Sequence, residues 1–271
     1  MAGQGLLTVR GLTRDFRGFR AVAGVDLDVV DGTVHALVGP NGAGKTTLFN
    51  LLTGFLRPTS GRIELDGRDV TGLPPERIAR LGVARSFQIT SLFPQLSGQE
   101  HVELALQSPS GLGWRFWRSA KLMRRYADRA RELLDMVGLA DVAEVPAEAL
   151  AYGRKRALEL AIALALEPRV LLLDEPTAGM GLEDVDRTVE LIQRVRQGRT
   201  VVLVEHNMSV VGRLADTVTV LQAGKVLVEG PYQEVRADQR VIAAYLGESS
   251  DSDDGAGTGR AAQGGTAHAA R

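Results

Sequence analysis

The run Gly39-Pro40-Asn41-Gly42-Ala43-Gly44-Lys45-Thr46-Thr47 combines three glycines, one cation and two hydroxyls. Its spacing is G-x-x-x-x-G-K-[ST], that of a phosphate-binding loop. Glycine tolerates positive φ and brings no side chain, so backbone N–H groups can converge on phosphate oxygens. Lys45 can neutralise the β- and γ-phosphates of a nucleotide, and the Thr46 hydroxyl can ligate Mg²⁺. The plainer alternative is a Gly-rich turn that happens to hold a lysine. Further along stand Asp174 and Glu175, at the end of Val170-Leu171-Leu172-Leu173. One carboxylate there can hold a Mg²⁺ shell, and the other can orient or deprotonate an attacking water. An acidic pair capping a surface strand is the competing reading, and the apolar run before the pair and Pro176 after it argue against that. His206 closes a second apolar run, Val201-Val202-Leu203-Val204-Glu205, where it could reach a γ-phosphate. A histidine alone is more often structural. Gln88 alone is an ordinary polar residue.

Chemistry of this kind needs rigid supports. Val34-His35-Ala36-Leu37-Val38 reads as a buried strand before the loop, and Leu48-Phe49-Asn50-Leu51-Leu52 as the helix after it. A helix N-terminus behind the loop adds partial positive charge. The runs ending at Asp174 and His206 read as parallel strands buried on both faces. Val185, Val189, Ile192 and Val195 mark an amphipathic helix between them. Leu6-Leu7-Thr8-Val9, Val25-Asp26-Leu27-Asp28-Val29 and Ile63-Glu64-Leu65 predict short strands of an antiparallel sheet beside the nucleotide. Asp31-Gly32 and Asp66-Gly67 are the turns. Val218-Thr219-Val220-Leu221 and Val226-Leu227-Val228 predict a hairpin around Gly224. A helix starts at Pro74-Pro75. From Gln99 to about Leu166 the pattern is helical, with Leu122, Met123, Tyr126, Ala130, Leu133, Leu134 and Val137 on one face and Gly138 as a stop. Trp114, Phe116 and Trp117 fit either a contact surface or the packing of a helical hairpin. The alternation is α/β, with ligands expected at the carboxyl ends of the parallel strands.

Composition narrows the classes. The chain has 271 residues, a formal net charge of −1 and no Cys. Balanced charge gives no reason to expect nucleic acid as the main partner. Without Cys there is neither a disulfide framework nor a thiolate metal site. The first ten residues lack the pattern of a signal peptide. The most apolar stretch, 157–173, is interrupted by Glu159, Glu167, Pro168 and Arg169, too early for a membrane span. A soluble protein is expected, with any membrane role coming through a partner. The Ser, Asp, Gly and Ala of 248–271 predict a disordered tail after a domain of 1–247.

The order along the chain is informative. A phosphate loop, then Gln88, then a Gly-containing segment, then Leu-Leu-Leu-Asp-Glu-Pro, then a strand ending in His, resembles the ABC-type ATPases over residues 6–247. More narrowly it resembles the ATP-binding subunit of branched-chain amino-acid importers. The narrower likeness rests on 39–50, Ser86-Phe87-Gln88 with Leu92-Phe93-Pro94, Leu150-Ala151-Tyr152-Gly153, 174–180, Val204-Glu205-His206-Asn207-Met208 and Ala244-Tyr245-Leu246-Gly247-Glu248. The resemblance implies a RecA-like core with an antiparallel β subdomain and a helical subdomain at about 89–166. It implies that Phe16 stacks on adenine, and that Gln88 contacts Mg²⁺ and links the site to a membrane subunit. His206 takes the place of the switch histidine. Ala151, Tyr152 and Gly153 belong to the signature segment, whose helix faces the γ-phosphate of ATP on the opposite subunit. Two positions depart from the family. Ala151 stands where serine is common, and Gly181 stands where aspartate is common.

The expectation is therefore an ATPase that uses ATP and Mg²⁺ and dimerises around two ATP molecules, with itself or with a related ATPase. It drives membrane permease subunits from the cytoplasmic face of the cell membrane, as a peripheral protein that never touches the transported solute. Two alternatives stand beside it: a soluble ATPase of this type acting on ribosomes or DNA, and a regulatory subunit that binds ATP without hydrolysing it. One phosphate loop and the absence of long heptads weigh against the first; Glu175 weighs against the second.

Overall fold

A computed structural model of the chain describes residues 5–86, 92–107 and 120–251, with side chains given for all but 120–123 and 246–251. The chain opens with a long hairpin, β1 (Gly5–Phe16) and β2 (Phe19–Val30). It joins β4 (Ser60–Leu65) and the two-residue β5 (Arg68–Asp69) in an antiparallel sheet of order β2-β1-β4-β5. The second sheet holds β3 (Val34–Val38), β6 (Val83–Ser86), β7 (Val170–Asp174), β8 (Thr200–Val204), β9 (Thr217–Gln222) and β10 (Lys225–Gly230). Its order is β10-β9-β3-β8-β7-β6, parallel except for the terminal β9–β10 hairpin.

The apolar runs behave as parallel strands covered on both faces should. On β7, Val170 and Leu172 join a core with Leu48, Phe49 and Leu52 of α1 (Lys45–Leu52) and with β1 and β2. Leu171 and Leu173 point the other way, toward α5 (Tyr152–Ala165) and α6 (Leu182–Val195). There Leu158, Leu164, Val189, Ile192 and Val195 complete the packing. A third cluster seats α7 (Met208–Leu214), α8 (Tyr232–Ala237) and α9 (Gln239–Asp251) beside β3 and β9.

The described residues between β6 and β7 are mainly helical, as the periodicity predicts. The short α2 (Pro75–Arg80) begins with Pro in its first turn. Beyond β6 come α3 (Gly98–Gln107), α4 (Ala120–Met136) and two 3₁₀ turns, Ala140–Val142 and Ala147–Ala149. Ala130, Leu133 and Leu134 of α4 are fully buried, and Gly138 takes positive φ just past the helix end. Trp114, Phe116 and Trp117 lie outside the described residues.

The last helix, α9, runs to Asp251, three residues past the position at which composition places the start of a tail. Helix propagation is cooperative, adding a hydrogen bond per residue fixed, so Gly247 and the polar residues after it carry one more turn. The rest of that segment, 252–271, lies outside the described residues.

Candidate active site

The parallel pairing decides what meets what. Leu37 of β3 pairs with Val204 of β8, and Val204 pairs with Asp174 of β7. The carboxyl ends of β3, β7 and β8 therefore share one edge of the sheet. The phosphate loop leaves β3 there, Asp174 and Glu175 leave β7, and Glu205 and His206 leave β8. This is the edge at which open α/β sheets bind ligands.

The loop has the backbone its glycines permit. Gly39, Gly42 and Gly44 all have positive φ, at 146°, 75° and 100°. At two of them space matters as much as φ. A Cβ on Gly39 would sit 2.1 Å from the Leu221 carbonyl oxygen, and one on Gly44 2.4 Å from that of Ala21. The loop is thus pressed between the end of β9 and the strand β2 of the antiparallel sheet. Pro40 accepts a hydrogen bond from the Ala43 N–H, at 3.2 Å. Ala43 is buried, while Asn41 and Thr46 face solvent and Thr47 is half-buried. The buried Lys45 ammonium donates to the Gly39 and Pro40 carbonyls, at 2.6 and 2.9 Å. Those bonds hold its charge inside the loop it would share with phosphate oxygens.

Asp174 is buried and takes a 2.6 Å charge-assisted bond from Arg85 of β6. The other arm of the same guanidinium donates to Asn50 Oδ1, at 2.6 Å. Arg85 therefore joins the α1 helix to the carboxylate on β7, and its plane lies near the Phe49 and Phe55 rings. Sequence reasoning missed Arg85; the signal available was a charge inside the short buried strand Val83-Ala84-Arg85-Ser86, which requires a partner. Glu175 is half-buried and left-handed, with φ 47°. A left-handed non-glycine residue is strained, and its neighbours must hold it. Its N–H donates to Val204 O at 2.9 Å, and its carbonyl accepts from Ala178 N–H at 3.1 Å.

His206 is exposed and stands between two anchors. On one side Glu205 is fully buried. On the other, Asn207 caps α7, its side-chain oxygen accepting from the N–H groups of Ser209 and Val210. Such caps are the preferred role of Asn at a helix start.

Phe16, at the tip of the β1–β2 hairpin, is 38% exposed, and the Arg14 guanidinium covers one side of its ring at 4.6 Å. Gln88 lies outside the described residues; β6 stops two residues before it. The signature segment sits at the start of α5. Ala151 is the N-cap, exposed, with no side-chain cap bond. The contacts of this helix start run to its own chain: Tyr152 Oη donates to Ala178 O at 3.4 Å, Arg154 pairs with Asp141, and Lys155 donates to Glu148 O. Its first turn carries no acid and several bases. That is the reverse of the usual dipole preference, and it concentrates positive potential. Gly181 is the N-cap of α6, also without a side-chain cap bond. Both departures from the family pattern thus fall at helix N-caps.

Fold and edge together define a P-loop nucleotide-binding cassette. The ABC transporter family profile matches residues 22–178, and a branched-chain amino acid ATP-binding cassette transporter profile matches 225–251. The chain is 40% identical over 254 residues to the high-affinity branched-chain amino acid transport ATP-binding protein BraF of Pseudomonas aeruginosa, covering 90% of this chain and 98% of that protein. It is 39% identical over 253 residues to LivG of Escherichia coli, which carries the same description, covering 91% and 99%. Among solved structures it is similar to the cassette MJ1267 in its ADP conformation, with TM-score 0.80, 25% identity and coverage of 90% and 99%. It is also similar to the dimeric cassette MJ0796 bound to ADP and Pi, with TM-score 0.72, 25% identity and coverage of 83% and 98%. The chain belongs to the ABC transporter family, as an ATP-binding and ATP-hydrolysing subunit coupled to transport. Among the described residues no helix is long and apolar enough to cross a membrane.

Proposed function

We propose that this chain energises the import of branched-chain amino acids, acting as a peripheral ATPase on the cytoplasmic face of permease subunits. The observation that carries the solute class is the identity to BraF, 40% across nearly the whole of both chains. The chemistry rests on the shared edge of β3, β7 and β8. Backbone N–H groups of 39–47 and Lys45 hold the ATP phosphates, and Phe16 stacks on the adenine. Glu175 accepts a proton from the attacking water, and His206 contacts the γ-phosphate from the neighbouring strand. Preorganised dipoles and charges of this kind supply much of the rate enhancement in phosphoryl transfer.

The donor set fits Mg²⁺. Among the described residues no group of three His, Asp or Glu forms a metal cage. A hydroxyl and a carboxylate, Thr46 and Asp174, joined by the Gln88 amide that the family resemblance adds, are hard oxygen donors that suit an ion sharing its shell with nucleotide phosphates. Bound there, the ion would neutralise developing charge on the phosphates.

Two cassettes facing head-to-tail complete the site. Tyr152 and Leu182 are 46% and 87% exposed, beside the two positions that face a partner in the family. That exposure and the basic start of α5 support an ATP-bridged dimer, either with a second copy or with a related ATPase. Transported solute does not touch this chain, and nothing favours nucleic acid. The test is reconstitution with the permeases in liposomes. ATP hydrolysis should rise when a solute-binding protein loaded with leucine, isoleucine or valine is added. No stimulation by any of the three would refute the solute class.

A further inference from the structure

Glu205 is fully buried, yet in the described structure no cation hydrogen-bonds to it. Its carboxylate is satisfied by four donors, two on each oxygen. Oε1 accepts from the Thr177 N–H at 3.1 Å and the Thr177 hydroxyl at 2.6 Å. Oε2 accepts from the N–H of His206 at 3.2 Å and of Asn207 at 3.3 Å. Thr177 is itself buried. It lies two residues beyond Glu175, on the same tight turn. One carboxylate therefore fastens the turn that carries the proton acceptor to the turn that carries the histidine. Its own backbone leans on the strand that opens the phosphate loop, with Glu205 N–H donating to Leu37 O at 3.4 Å.

We propose that Glu205 is a positioning residue for hydrolysis, a clip that sets Glu175 and His206 relative to each other. The inference rests on the site reading above, in which those two residues act on ATP. A carboxylate is the group this place requires. Four converging donors need two acceptor atoms, each taking two bonds, and an ionised carboxylate is acceptor-only. Glutamine has the same size but turns one of those atoms into a donor, which then faces two donors. A threonine at 205 could bond the backbone of its own turn, two residues on, but carries no second acceptor for Thr177, and a valine could bond neither. Glu175 makes the clip matter. Its left-handed backbone has to be held by its neighbours, and Thr177 is the fixed point two residues on.

The test is a set of variants measured in the assembled transporter, with ATP affinity read separately by calorimetry on the cassette. Glu205→Gln should lower kcat about ten- to a hundredfold, the range that small misplacements of reacting groups produce. ATP affinity, set by the phosphate loop and Phe16, should stay within about twofold, so the loss falls on kcat and not KM. The decisive readout is a double-mutant cycle with His206→Ala. In the wild-type background that substitution should cost a large factor. In the Glu205→Gln background it should cost much less, because the histidine is already displaced. Should Glu205→Gln not fold, Thr177→Val and Thr177→Ser carry the test. Valine removes the 2.6 Å hydroxyl bond and should slow turnover; serine keeps it and should turn over as wild type.

Equal factors for His206→Ala in both backgrounds would overturn the clip. So would wild-type turnover by Glu205→Gln or by Thr177→Val. If His206→Ala is harmless in the wild type, the site reading itself fails and the clip falls with it.

Discussion

Replacing Arg85 by Met would leave a carboxylate stranded. The guanidinium bonds Asp174 at 2.6 Å and Asn50 at 2.6 Å, with the two charged side chains 10% and 2% exposed. Methionine keeps an unbranched apolar side chain of similar reach but offers neither the charge nor the guanidinium that lies over the Phe49 and Phe55 rings. Removing one member of a buried pair costs about 3–5 kcal/mol, mostly from the unpaired charge left behind. For a domain of this size each kcal/mol moves the melting temperature by about 2–4 °C, so the fall should be about 6–20 °C. Calorimetric or fluorescence melting of the purified cassette without nucleotide measures it. Adding Asp174→Asn should recover more than half of the loss, since it removes the stranded charge. Arg85→Lys keeps the charge but cannot span both partners, and should fall between. The reasoning is refuted if Arg85→Met melts within about 2 °C of wild type. It is equally refuted if Asp174→Asn brings no recovery in that background.

Lys45→Ala should weaken ATP binding and abolish hydrolysis; unchanged affinity by calorimetry would remove the lysine from the site. Glu175→Gln should still bind ATP while hydrolysing it at least about a hundredfold more slowly, in the range of a lost general base, and single-turnover kinetics would expose a wild-type rate. Ala151→Ser supplies the side-chain cap bond that the N-cap of α5 lacks, so the cassette should gain up to about 1 kcal/mol, seen as a higher melting temperature. Gly181 has open space around it, so Gly181→Asp should be accommodated, and the pair should strengthen ATP-driven self-association of the Glu175→Gln variant on size exclusion. A tight homodimer already formed without them would show that the chain needs no related ATPase as its partner. His35 is 1% exposed and held by Thr219 at 2.7 Å, and burial pushes its pKa down from 6.5 to about 4. The unfolded chain then binds the extra proton between those values. His35 stability is present above pH 6.5 and is lost as pH falls toward 4, by about 3 kcal/mol in all. The nearby Glu229 carboxylate, 3.9 Å away, is consequently no ion-pair partner near neutrality. His35→Gln should flatten the acid limb of a stability-versus-pH curve, measured by urea unfolding.

Much of this architecture is legible in the sequence because its signals are local. A phosphate loop needs its glycines at fixed spacing, and doubly covered strands need unbroken apolar runs. Both are written into consecutive residues, and the structure bears out the strands at 34–38, 170–174 and 201–204 with the helix between them. Pairing across the fold is not local. Nothing near Arg85 says that its partners are Asn50 and Asp174, on two other elements. Glu205 reads as the polar end of a strand until Thr177 is seen beside it. The end of α9 is not legible in composition for a different reason: composition reports the lack of a core, whereas a helix already under way continues on backbone hydrogen bonds alone.

The strand order has a consequence for the nascent chain. β3, which launches the phosphate loop, lies between β8 and β9, both from the last third of the sequence. At about 5–20 residues per second, synthesis takes on the order of ten to thirty seconds to pass from β3 to the end of β8. Through that interval Val34-His35-Ala36-Leu37-Val38 has neither of its lateral neighbours. An apolar strand with two open edges is the kind of segment that other chains add to. A ribosome stalled before residue 200 would thus release a product whose nucleotide loop is complete in sequence but has no sheet to hold it.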